Sequence, residues 1–258
     1  MSFIAVCFLL ALQEGSPPAA LTPDSYLIRV KGAPGDTYTY STHIFMSDES
    51  AKNTFELEGK IEDRFVRQYE DQIDWIQTMT LKKLTGKGKL QPTISVFDSL
   101  NRVPITRVTN DRGRLLKVIL GESVKESRGG PDVVFPKAGV KINEWWDAPV
   151  EIGGRVVDIR YQLMSVTDVA GRKTAYIEGT YHPDQGVVNV EKHQFYVDLL
   201  YGKVISSKIY AVVTSNGVEL SVWASTVLEG SKSGDEGKQF SGTGQGRFGH
   251  QIAGHHSR

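Results

Sequence analysis

The residues able to do chemistry are few and scattered. Three histidines, His43, His182 and His193, stand within the patterned part of the chain. A serine–histidine–acid triad needs one of them beside an activated nucleophile. No Gly-x-Ser-x-Gly elbow is present, and the single cysteine, Cys7, sits in an apolar run near the N-terminus. The histidines therefore read as structural or solvated. A second group is acidic: Glu56, Glu58 and Glu62, with Asp63. Paired carboxylates hydrolyse glycosides when held about 5–10 Å apart across a cleft. Alternate residues of a strand stand about 7 Å apart, so spacing permits that chemistry. Lys60, Arg64 and Arg67 interleave with them, and the plainer reading is a solvated, charge-balanced strand face. Further on, the glycines of Gly242-Thr-Gly-Gln-Gly-Arg-Phe-Gly249 lack the flanking strand and helix that a phosphate-binding turn needs. His250, His255 and His256 lack the fixed tetrahedral array of a zinc site. The sequence thus points to no catalytic residue, no metal and no cofactor.

Aromatic side chains are more informative. Tyr38, Tyr40, Phe55, Phe65, Trp75 and Trp223 fall on long period-two segments, and Trp145-Trp146 stands between two such regions. These eight are the candidate ligand-binding residues. On an uncovered curved sheet they would line an apolar concavity suited to a lipid-like molecule. Under a second sheet they would be sandwich core. For the Trp145-Trp146 pair the alternatives are one indole in the core and one at the surface, or both lining a cleft.

The elements that must hold these residues are strands. Val204 to Thr214 and Val218 to Leu228 flank Asn216-Gly217, a pair suited to a type I′ turn. In the second run Val218, Leu220, Val222, Ala224, Thr226 and Leu228 share one face, the mark of a half-buried strand. Thr37 to Ser47 places Tyr38, Tyr40, Thr42, Ile44 and Met46 together. Thr54 to Leu84 alternates well enough for two long strands with a turn near Tyr69 to Asp71, although Ile61, Phe65, Tyr69 and Ile73 also fit a helix. Further strands are predicted at Ser25 to Lys31 and Thr93 to Phe97. Hairpins are predicted over Val103 to Leu120 and Arg155 to Tyr181. Gly121 to Pro131 reads as a linker or flap. The expected fold is all-β and mainly antiparallel: a curved sheet, half-barrel or β-sandwich of about eleven or twelve strands.

Composition sets the address and the partners. Hydrophobic residues make up 40% and charged residues 23%, which is globular rather than disordered. Thirty basic residues balance thirty acidic ones, so no global field favours nucleic acid or an anionic membrane. Phe3 to Leu12 is an apolar run of signal-peptide length, too short to span a bilayer of about 30 Å. No later segment resembles a transmembrane helix. The expected organisation is a signal peptide or flexible segment over 1–20, an antiparallel β domain over 24–230, and a disordered Gly-, Ser- and His-rich tail over 231–258.

Two stretches carry a family resemblance. Lys31-Gly-Ala-Pro-Gly-Asp-Thr-Tyr-Thr-Tyr40 resembles the opening turn and first long strand of an uncharacterised family of exported bacterial β-proteins. Val134-Phe-Pro-Lys-Ala-Gly-Val-Lys-Ile-Asn-Glu-Trp145 is similar to that family's central Phe-Pro…Val…Gly-Asp-x-Trp element, with Asn143-Glu144 at the Gly-Asp position. The layout is also similar to lipoprotein-carrier half-barrels, in which a curved sheet holds acyl chains. The resemblance implies export to the periplasm or cell envelope and a β-fold, and it implies no reaction. The expected function is a non-enzymatic binding protein that holds an apolar ligand on a curved sheet. The alternatives are an envelope interaction module with a closed core and a protein partner, and an envelope hydrolase.

Overall fold

The computed structural model describes residues 25–91, 101–127, 133–152, 155–169, 171–181, 188–215, 218–234 and 239–240. Residues 1–20 with Cys7, the strand expected at 93–97, His182, Asn216-Gly217 and residues 242–256 lie outside this set.

Fifteen strands are described. They are β1 (Ser25–Tyr26), β2 (Thr37–Ser47), β3 (Thr54–Tyr69), β4 (Gln72–Lys87), β5 (Pro104–Asn110), β6 (Leu115–Leu120), β7 (Ser123–Glu126) and β8 (Val140–Lys141). They continue with β9 (Trp145–Ile152), β10 (Arg155–Val169), β11 (Arg172–Tyr181), β12 (Val188–Asp198), β13 (Lys203–Ser215), β14 (Val218–Lys232) and β15 (Gln239–Phe240). The one helical turn among the described residues is Gly88–Leu90.

All pairings are antiparallel. The order across the main sheet is β7-β6-β5-β4-β3-β2-β14-β13-β12-β11-β10-β9, with β15 paired to the end of β14. Two sequential meanders, β2 to β7 and β9 to β14, therefore meet along one long-range seam between β2 and β14. β1 and β8 form a separate two-stranded sheet.

This sheet is open at both edges, yet it curls. Laid flat, β5 and β9 would lie nine strand spacings, or about 43 Å, apart. Consecutive residues nevertheless bridge the two arms. The Trp146 indole on β9 donates to the Val134 carbonyl at 2.7 Å, and the Phe135 amide donates to the Arg112 carbonyl, in the β5–β6 turn, at 2.9 Å. Bulges in several pairs, with the extra residue at Val66 in β3, Lys82 in β4, Ile205 in β13 and Glu229 in β14, supply the local bend and extra twist.

Two irregular segments cap the concave side. Residues 27–36 leave β1 instead of continuing as the expected strand to Lys31, and Val133, Val134 and Phe135 are all buried. Arg29 ties these pieces together. Its guanidinium donates to the carbonyls of Ile28 (2.7 Å), Pro136 (2.9 Å) and Lys137, and pairs with Asp111 at 3.1 Å. The core is continuous from Phe65, Ile73 and Trp75, through Val133 to Phe135, to Trp146, Tyr161, Ile177 and Phe195. The linker expected over 121–131 contains β7, an exposed edge strand, and β14 runs past the expected domain end at Gly230 to Lys232.

Candidate functional site

Inside the curl lies a partly open cavity of about 460 Å³. Its walls come from both meanders: β2, β3, β4 and β5 on one side, β13 and β14 on the other. The side chains that face it follow from period two and register. Tyr38, Tyr40, Thr42 and Ile44 project from one face of β2. Asp63 and Ile61 stand opposite Tyr38 and Tyr40 on β3, and Gln77 and Met79 stand opposite those on β4. Val133 and Phe135 form part of the lining from the irregular segment. Most of the surface is therefore apolar or aromatic, as in ordinary small-molecule sites.

Polar groups at the cavity are few and held. The Trp75 indole donates to Thr109 Oγ1 at 3.0 Å, and its ring meets Phe65 edge-on with centroids 5.0 Å apart. Gln77 Nε2 donates to Asp63 Oδ1 at 2.8 Å. Burial, with Asp36 next in effect, raises the Tyr38 hydroxyl far above its ordinary range.

Lys203 is the unusual member. It lines the cavity and is only 7% exposed. Its ammonium lies 3.3 Å from the Trp75 ring centroid and 4.7 Å from that of Tyr38, an arrangement that places a cation on two π faces. Burial lowers its pKa to about 7, although Asp63 and Asp36 pull it back up. The preceding turn is built for close approach. Gly202 has φ +60°, and a Cβ there would meet the Arg29 carbonyl oxygen at 2.2 Å. The Asp198 carboxylate accepts the amides of Leu200 (2.8 Å) and Tyr201 (3.2 Å).

The structure separates the eight candidate residues. Tyr38, Tyr40 and Trp75 line the cavity. Phe65 is packed beneath Trp75, and half-buried Phe55 pairs with Met46 near the far end of β2, outside the cavity lining. Trp146 is core, stacked on Tyr161 with centroids 5.5 Å apart. Trp145, its neighbour, projects from the other face of β9 and is 52% exposed. Trp223 is 45% exposed on the convex face, where it stands between Phe45 and Tyr210 in register, with centroids 5.9 and 5.2 Å away. Trp145 and Trp223 are thus directed away from the cavity by strand alternation itself.

Lys203 and Arg107 line the site and were not among the expected residues. Ile205, the extra residue of β13 opposite the Tyr196–Val197 step, interrupts that strand's alternation, and Lys203 and Val204 both line the cavity, which a period-two reading cannot place on one face. Arg107 stands opposite Trp75 on β5, where parity alone marks it as inward.

The acidic row divides as well. Asp63 faces the cavity, whereas Glu56 and Glu58 lie on the convex face with His43 and Lys83. His43, Glu56 and Glu58 bring potential ligand atoms within 4.8 Å of one another. Lys83 Nζ already lies 2.6 Å from Glu56 and 3.9 Å from Glu58. Its hydrogen bond holds Glu56 below the ordinary carboxylate range, so the cluster is a compensated charge face. His193 is buried against Phe195 with ring centroids 4.1 Å apart. A glycosidase-like acid would need a raised pKa. Glu56, Asp48 and Glu178 are instead held low by hydrogen bonds.

No protein-family model matches the chain, and no curated protein matches it. Solved structures do. Lipovitellin, described for its lipid–protein interactions, aligns over 82% of this chain with TM-score 0.47 and 12% identity, and this chain spans only 27% of that one. An exported Bacteroides fragilis protein of YmcC-like fold aligns over 80% of this chain and 99% of its own, with TM-score 0.36 and 9% identity. A Vibrio parahaemolyticus outer-membrane lipoprotein-sorting protein domain aligns over 79% of this chain and 87% of its own, with TM-score 0.30 and 8% identity. The first of these two bacterial proteins is described as exported and the second as a lipoprotein-sorting domain, the two kinds of protein that the sequence resemblance named.

Proposed function

We propose that the protein is an exported, non-enzymatic binding protein of the bacterial envelope that holds an apolar, lipid-like ligand in the cavity of its curled sheet. The observation that carries this reading is the cavity itself: about 460 Å³, partly open and lined by Tyr38, Tyr40, Ile61, Trp75, Met79 and Phe135. Protein interiors are otherwise close-packed, and unfilled apolar space forfeits dispersion contacts. A void of this size on rigid strands is best accounted for by a molecule that fills it.

The test is to purify the chain from the cells that make it, without detergent, and extract it into organic solvent for mass spectrometry. A stoichiometric apolar molecule is the expected result. A clean extract from folded, monodisperse protein would sink the carrier reading. It would favour a protein-interaction module instead, for which exposed Trp223 between half-buried Phe45 and Tyr210 on the convex face is the supporting observation.

A further inference from the structure

A purely apolar ligand would leave one cavity group unused. The Lys203 ammonium lies against the Trp75 and Tyr38 rings. Among the described residues, no carboxylate comes within 4.0 Å of it. Asp36 and Asp63 act on it through space, but both are engaged elsewhere. Asp36 accepts the Ala33 amide at 2.8 Å and the Gly234 amide at 2.9 Å. Asp63 accepts the Gln77 amide at 2.8 Å. The charged side chains lining the cavity are Asp63, Arg107 and Lys203, so cations outnumber anions.

We propose that the cavity takes an amphiphile with a carboxylate head, such as a long-chain fatty acid, and that Lys203 receives the carboxylate. This inference rests on the apolar-cavity reading above. A buried ammonium has given up its water, and aromatic faces return only part of that hydration. An entering carboxylate supplies a charge-assisted hydrogen bond and balances the excess cation. A neutral head leaves that imbalance in place. The lowered pKa agrees with this, because burial outweighs the compensation that Asp63 and Asp36 give the ammonium. The hydrocarbon tail then occupies the surface formed by Tyr40, Ile44, Ile61, Met79 and Ile209.

The experiment uses the full chain freed of endogenous lipid. Palmitic acid and hexadecanol, equal in chain length and different in head group, are titrated as monomers against the wild type and Lys203→Met. The acid is expected to bind the wild type about tenfold or more tighter than the alcohol, as a hydrogen bond to a charged group implies. Lys203→Met is expected to bring the two affinities together. Equal affinities in the wild type would overturn the carboxylate assignment and leave the apolar cavity standing. Failure of both probes to bind would overturn the cavity reading itself. A preference that survives in folded Lys203→Met would overturn the role of Lys203. The wild-type comparison decides the head-group question even if the variant does not fold.

Discussion

Holding an amine against two aromatic rings has a cost that depends on pH. Lys203 titrates near 7 in the fold and near 10.5 in the unfolded chain, with desolvation the largest cause. Between those values the unfolded chain binds the extra proton. Stability contributed by this group therefore rises with pH across that window and is flat beyond either end, with a slope of at most about 1.4 kcal/mol per pH unit. Asp63, Asp36 and Arg107 also act on this amine, and Asp198 pairs with Lys203 across the β12–β13 ladder. Comparison with Lys203→Met isolates the lysine from them. Urea unfolding of both proteins at several pH values is expected to show the variant more stable near pH 7, with the gap closing toward pH 10.5. A gap that is constant with pH would mean that Lys203 stays charged in the fold. This residue was hard to find in the sequence for a definite reason. It follows Gly202 at the start of a strand, where a lysine ordinarily points to water, and the bulge at Ile205, two residues on in the same strand, breaks the alternation that would place it.

Strands were far more legible than the segments between them. Thr37 to Ser47 has the same bounds in sequence and structure, and the turn between β3 and β4 lies at the expected position near residues 69–71. Those elements have one buried face, so period two exposes them. Ser25 to Lys31 misleads for the same reason. Ile28 and Val30 are buried and Leu27 and Lys31 exposed, yet residues 27–36 have left the ladder to cap the concave side. Alternation reports sidedness and not hydrogen-bonded pairing. The segment Val133-Val134-Phe135 has the opposite character: three consecutive buried residues and no strand. Its contribution can be measured against an exposed aromatic. Phe135→Ala, at a side chain 1% exposed between the arms, is expected to cost about 3–5 kcal/mol in urea unfolding. Trp223→Ala, on the convex face, removes cross-strand ring contacts and is expected to cost no more than about 1.5 kcal/mol. Equal costs would mean that the capping segment does not hold the curl.

At the scale of the whole molecule, the sequence announces two runs of hairpins but not the seam that joins them. Every main-sheet pairing except β2–β14 and the terminal β14–β15 contact links neighbours within one meander. The β2–β14 pairing spans Ser47 opposite Ser221 to Thr37 opposite Lys232, and local pattern contains no signal for such a distant partner. That seam places the two halves of the cavity wall side by side, with Thr42 and Ile44 on β2 beside Thr226 and Ala224 on β14. A ligand in the cavity therefore contacts both halves and stabilises both together. Ligand that binds only the folded chain adds about 2.7 kcal/mol when its free concentration is a hundred times its dissociation constant. Differential scanning calorimetry of lipid-free protein is expected to show one transition, and added palmitic acid is expected to move all of it upward. Two transitions, of which the ligand moves only one, would show that the meanders unfold separately. The cavity would then belong to a single half, contrary to a wall shared across the seam.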